Sequence, residues 1–179
     1  MENLKIAIKQ LIEYKAPSID QLPEIDLYMD QVLSYVNRYR FLPSEEKDML
    51  TASMINNYVK DDVIQSPVAK KYNKEGIISV LMLAQLKKIL PINDIKKLFN
   101  HTDVEIKELY QIYQQALDQT IQTLKNAQET FEADQNKSKE LLVLHLSIDA
   151  SIKAYLAQVI LNDFQGVEKV SKKKIDKAK

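Results

Sequence analysis

Cysteine is absent from the 179 residues, so neither a disulfide framework nor a thiolate metal site is available. Glycine is nearly absent as well. The two present, at 76 and 166, cannot build a glycine-rich phosphate loop. With only five prolines beside them, the chain lacks the turn residues that sandwiches and barrels require, and helix is the expected state almost throughout. The N-terminal MENLKIAIKQLIEYK has charges spread through it and no apolar core before a cleavage site, so it does not read as a signal peptide. The most apolar stretch, 141–161, is long enough to tempt a membrane reading. It contains His145, Asp149 and Lys153, each costly at a bilayer centre, and is read as soluble. His101 and His145 lie far apart with no HExxH spacing, and Glu45-Glu46 and Asp61-Asp62 sit in charged segments. The expectation is a cytoplasmic non-enzyme, with no catalytic residue, no metal and no cofactor.

What is present is an ordinary globular balance, 45% apolar and 28% charged, enough for a real core. The zero net charge hides an uneven distribution. Residues 1–46 carry 5 basic against 8 acidic side chains, 47–100 carry 9 against 5, 101–164 carry 5 against 10, and 165–179 carry 6 against 2. A basic centre between acidic flanks matters because nucleic-acid affinity follows local rather than total charge.

Four regions follow from the chain order. Residues 1–43 supply N-terminal helices that pack on the core. Leu4, Ala7, Ile8, Leu11 and Ile12 line a helix over 2–15, ended by Pro17. Ile25, Tyr28, Val32, Tyr35, Val36 and Tyr39 line a second over 25–41, an aromatic stripe of the kind that usually belongs to a core. Residues 44–100 form a winged helix-turn-helix unit. Ser44 caps a short helix to Leu50, Thr51 or Ser53 caps the next over 54–62, and Asn73 caps an apolar strut over 74–90. Pro91 breaks the strut, and a short helix capped by Asn93 closes the unit.

The helix 54–62 can bury Met54, Ile55, Tyr58 and Val59, which leaves Asn56, Asn57 and Lys60 facing out. Asn can bond adenine in two places and Lys can contact phosphate or guanine. Exposed filler is the plain alternative, although two adjacent asparagines are poor helix formers. Over 63–73, β-branched pairs around Ser66-Pro67 suit a two-stranded wing at 65–73, with Lys70, Lys71 and Tyr72 at its tip reaching the phosphate backbone. An ordinary solvated loop would carry the same lysine pair.

Ile55 through Ile64, then Lys70-Lys71-Tyr72-Asn73-Lys74-Glu75, then an apolar helix and Ile92-Asn93-Asp94-Ile95, together resemble the MerR-type winged-helix regulators. That resemblance implies a phosphate-contacting role for Tyr58, a basic recognition-helix role for Lys60 and a wing cation at Lys71. Asn56 stands where those proteins carry Arg, Asn57 where they carry Tyr, and Asp62 where they carry Gly. Asp can adopt the left-handed conformation such a helix end needs. Residues 22–32 and 50–72 also resemble a bacterial family, found mainly in low-GC Gram-positive bacteria, known as a domain of unknown function with a MerR-like core. That likeness spans roughly residues 20–110.

Residues 101–165 read as a helical dimerisation or regulatory region. Ile106, Tyr110, Tyr113, Leu117, Thr120, Leu124, Ala127 and Phe131 form a heptad-like seam on one helix over 102–134. A polar loop over 132–139 leads to a last helix, to about Phe164, that is apolar on more than one side and must be covered on more than one face. The resembled regulators dimerise through helices after the wing, which implies a homodimer through 104–164. Residues 166–179 read as a basic flexible tail. The expected fold is mostly α, a MerR-like winged helix-turn-helix with a small two-stranded wing plus a C-terminal helical bundle or hairpin. The expected function is a transcriptional regulator on double-stranded DNA, with helix 54–62 in the major groove and wing 65–73 on phosphates. The alternative is a helical protein-interaction module that has lost DNA binding. No effector ligand can be named from the residues.

Overall fold

The computed structural model describes residues 2–39, 49–100, 104–133 and 139–163, with the backbone alone over 126–133. The short helix read at 44–50 with its Ser44 cap, the start at 102–103, His101, most of the loop 132–139 and the tail 166–179 lie outside the described residues. The described chain is mostly helical with one small antiparallel sheet. It runs α1 (Glu2–Glu13), a single 3-10 turn at Ile19–Gln21, β1 (Leu27–Tyr28) and α2 (Met29–Arg38). Then follow α3 (Ala52–Lys60), β2 (Lys71–Tyr72), α4 (Lys74–Leu86), α5 (Ile92–Asn100), α6 (Ile106–Ala133) and α7 (Lys139–Asp163).

α4 is the hub. Asn73 caps it, its Oδ1 accepting from the Gly76 N–H at 2.9 Å, and every residue from Gly76 to Leu83 is buried. A helix apolar on all sides needs cover on all sides. Here α2, α5, α6 and β2 supply it. α6 in turn buries Leu109, Tyr110, Leu117 and Ile121 and packs on α1 and α4. The linker between α1 and α2 is held to α6 at Pro17, whose carbonyl accepts from Tyr110 Oη at 2.8 Å and Gln114 Nε2 at 3.0 Å.

Several expectations change. The helix read over 25–41 begins at Met29, because Leu27 and Tyr28 are drawn into a strand. Ile25 and Tyr28 consequently point to solvent, while Val32 and Val36 are buried. The wing is not built from 63–66 folding back on 69–72. Val63 and Ile64 are core residues, and β2 pairs instead with β1, Leu27 opposite Tyr72 and Tyr28 opposite Lys71. Residues 27–38 therefore share one core with 49–100. α4 stops at Leu86 rather than about 90. Asn93 does not cap α5, since the Pro91 carbonyl already accepts from the Asp94 and Ile95 N–H groups.

α7 differs most from expectation. It meets the core only near its C-terminal end, where Leu161 is buried, Ala157 packs alongside, and Asn162 Oδ1 accepts from Lys97 Nζ at 3.1 Å. Neither α1 nor α2 covers it, because both are engaged elsewhere, on α6 and on α4.

Candidate nucleic-acid interface

α3 starts where the Thr51 hydroxyl oxygen accepts from the Met54 N–H at 3.2 Å. Ile55 is fully buried and fixes the helix among its neighbours, with α2 packed beside it. Met54, Tyr58 and Val59 are half-buried flanks, and Asn56, Asn57 and Lys60 are exposed. Asn56 and Lys60 stand one turn apart and Asn57 about 100° around, so the three share one outward side. Tyr58 keeps its hydroxyl protonated beyond the usual tyrosine range because burial penalises the phenolate.

The C-terminal end of α3 is held by a partner that sequence spacing gave no sign of. Lys96 Nζ donates to the Asp61 carbonyl at 2.6 Å, and Asn100 Nδ2 donates to the Asp62 carbonyl at 2.9 Å. Both come from α5, 35 and 38 residues later, so no local pattern could have revealed them. A cation at a helix C-terminus is favourable in its own right. Asp62 takes the left-handed conformation, φ 55°, which lets the Val63 and Ile64 N–H groups return to the Tyr58 carbonyl at 2.8 and 3.3 Å.

Beyond the buried Val63 and Ile64, Val68 and Lys71 exchange both backbone hydrogen bonds, at 3.0 and 2.9 Å, around Ala69-Lys70. Both central residues have positive φ, 49° and 65°. A turn of that kind ordinarily uses Asn-Gly, and each side-chain-bearing residue there costs roughly 1 kcal/mol. Lys70 is exposed at the tip and has no polar partner among the described residues. Lys71 is half-buried, its Nζ 5.0 Å above the Tyr28 ring on the sheet's outer face.

Tyr72 corrects the surface reading. It is 2% exposed, on the sheet's inner face against Leu27 and the first turn of α4, where a Cβ at Gly76 would come within 3.1 Å of its Cδ1. Its hydroxyl is buried without a hydrogen-bond partner among the described residues, and burial raises its pKa. Tyr72 therefore supports the turn from below and cannot meet a ligand in this arrangement. Strand alternation explains why: next to a half-exposed Lys71, Tyr72 must point the other way.

Residues 17–118 match a family described as a domain of unknown function, DUF1836. The chain belongs to that family. No curated protein and no solved structure matches it. The DUF1836 region takes in β1, α2, α3, β2, α4, α5 and the first part of α6, and it ends before α7. Every side chain of the outward α3 face and of the Lys70 turn thus belongs to the DUF1836 unit. Four tyrosines of that unit, Tyr35, Tyr39, Tyr110 and Tyr113, are engaged with one another and with backbone, and Tyr14 joins them from outside it. Tyr35 and Tyr39 rings are 4.9 Å apart, Tyr110 and Tyr113 stack at 5.7 Å, and Tyr14 Oη donates to the Tyr39 carbonyl at 2.8 Å. Among the described residues no group of three or more His, Asp or Glu side chains is placed to hold a metal ion.

Proposed function

We propose that the DUF1836 unit of this chain is a MerR-like winged helix-turn-helix that binds double-stranded DNA as a cytoplasmic transcriptional regulator. In this reading α2 and α3 are the paired helices, α3 enters the major groove, and the turn 68–71 lies on the flanking phosphates. One observation carries the reading. A helix fixed at both ends turns Asn56, Asn57 and Lys60 outward, and the same unit keeps a strained turn whose tip is an exposed cation, Lys70. Backbone strain retained beside exposed donors is a mark of binding sites rather than of scaffolds. Asn56 and Asn57 read base edges, Lys60 and Lys70 meet phosphates, and Lys71 with Tyr28 stiffens the sheet beneath.

Fluorescence anisotropy on random duplex DNA across a salt series tests this. Binding is expected to weaken steeply with salt, and Lys60→Glu with Lys70→Glu is expected to abolish it without altering the unfolding midpoint. Each phosphate contact removed lowers the log–log salt slope by about 0.9. Unchanged binding in that double variant would sink the assignment. The exposed Asp61 and Asp62 beside Lys60 favour a second reading, a protein-interaction module without DNA contact. No salt-dependent binding by the wild-type chain would turn the case to that module.

A further inference from the structure

α7 carries an apolar stripe, crossed by the exposed His145, that lies open to solvent among the described residues. Leu141, Leu144, Ile148, Ile152, Tyr155, Leu156 and Val159 are each exposed, from 38% to 65%. At about 100° per residue they fall within one third of the helix circumference, over a length of about 27 Å. Ala157 and Leu161, which dock on the core, lie on the opposite side. The centre of the stripe therefore faces away from the side on which Ala157 and Leu161 dock, with Asn162, bonded to Lys97, at its edge.

We propose that this stripe is the interface with a second copy of the chain, the two α7 helices packing antiparallel about the level of Ala150. The stripe is self-complementary about that level. Leu141 comes level with Val159 of the second copy, Leu144 with Tyr155, and Ile148 with Ile152, each contact repeated by the two-fold. Reciprocal pairing of one patch with itself is what a two-fold interface demands. Asp149 and Lys153, bonded to each other at 2.7 Å, share one flank of the stripe as a neutral pair. That flank stays in water, where a charged pair belongs, instead of in hydrocarbon.

The area is adequate too. By fractional exposure the seven side chains offer roughly 700 Å² per copy, close to the ~800 Å² per partner of a standard interface. Over 106–125, α6 already buries Leu109, Tyr110, Leu117 and Ile121 within its own chain, packed on α1 and α4. The inference is independent of whether α3 meets DNA.

Light scattering on the full chain, coupled to gel filtration, provides the test. The expected mass is twice the 20.7 kDa of one chain. Ile148→Asp with Ile152→Asp is expected to halve it with helix content unchanged, whereas Val143→Asp, on the other side of α7, is expected to leave it alone. The chain has no cysteine, so orientation can be read by cross-linking. Leu144→Cys mixed with Tyr155→Cys should form an intermolecular disulfide, and neither variant alone should. A single-chain mass for the wild type, a dimer that survives the double Asp variant, or self-cross-linking of Leu144→Cys overturns the proposal. So does co-sedimentation of the wild type, but not of the double Asp variant, with phosphatidylcholine–phosphatidylglycerol vesicles. α7 is long and apolar enough to cross a bilayer, and that result would assign the stripe to lipid.

Discussion

α4 and α7 are the two helices of this chain with no clear polar face, and the fold treats them in opposite ways. α4 is enclosed by α2, α5, α6 and β2, with Gly76 through Leu83 buried. α7 holds ten exposed large apolar side chains, and of its length only Leu161 is buried. Composition alone sets a demand for cover without naming the supplier. Position in the chain decides it. α4 sits at the middle, where segments from both sides can fold onto it, while α7 follows a core already complete.

The sharpest way to break the comparison is a charge in each helix. Ile78→Asp, at a fully buried α4 position, should cost more than ~4 kcal/mol and leave no cooperative unfolding transition in urea. If the variant stays folded, α4 is not the hub described here.

The packed half should also reveal itself in alkali. Burial, and for Tyr35 the neighbouring Tyr39, pushes Tyr35 up to about 12, and burial does the same to Tyr113. Tyr14 and Tyr110 are raised by burial as well, and by neighbouring tyrosines. Unfolded tyrosines release their protons near pH 10 while these retain theirs, so the folded state binds more protons above that point. Stability is therefore complete below pH 10 and falls as pH rises toward 12. Urea midpoints between pH 8 and pH 11.5 check the sign, and Tyr113→Phe should make the decline shallower.

Next in size is the cap. Asn73→Ala removes the acceptor for the Gly76 N–H and should cost about 1 kcal/mol in the same titration. The smallest effect belongs to α7. Val143→Asp, at an exposed α7 position outside the stripe, should shift stability by less than about 0.5 kcal/mol, as a surface change does. A loss comparable to that of Ile78→Asp would mean α7 has cover within its own chain, and the contrast would fail.

The legible parts of the fold were those set by local chemistry. Asn73 caps as its spacing indicates, Thr51 rather than Ser53 caps a helix that starts at Ala52 instead of 54, and Ile55 goes in while Asn56, Asn57 and Lys60 go out on a 3.6-residue period. What could not be read was set at a distance. Leu27 and Tyr28 continue a helical pattern and become strand only because Lys71 and Tyr72 lie beside them, more than 40 residues later. The same pairing hides Tyr72 from the surface. The α3 terminus likewise depends on Lys96 and Asn100 of α5. For the candidate interface, the outward α3 residues and Lys70 were legible, and the strain beneath Lys70 was not. Nothing in Val-Ala-Lys-Lys suggests two consecutive left-handed residues.

The bond from Tyr110 to the Pro17 carbonyl bears on the chain's birth as well as its stability. Tyr110 follows Pro17 by 93 residues, which at ~5–20 residues per second is a wait of roughly 5–20 s during synthesis. α1, which packs on α6, must wait at least as long. A nascent chain thus lacks the ties of its first helix and linker to α6 until most of the protein has left the ribosome, and the first segment made is among the last to gain its full set of contacts.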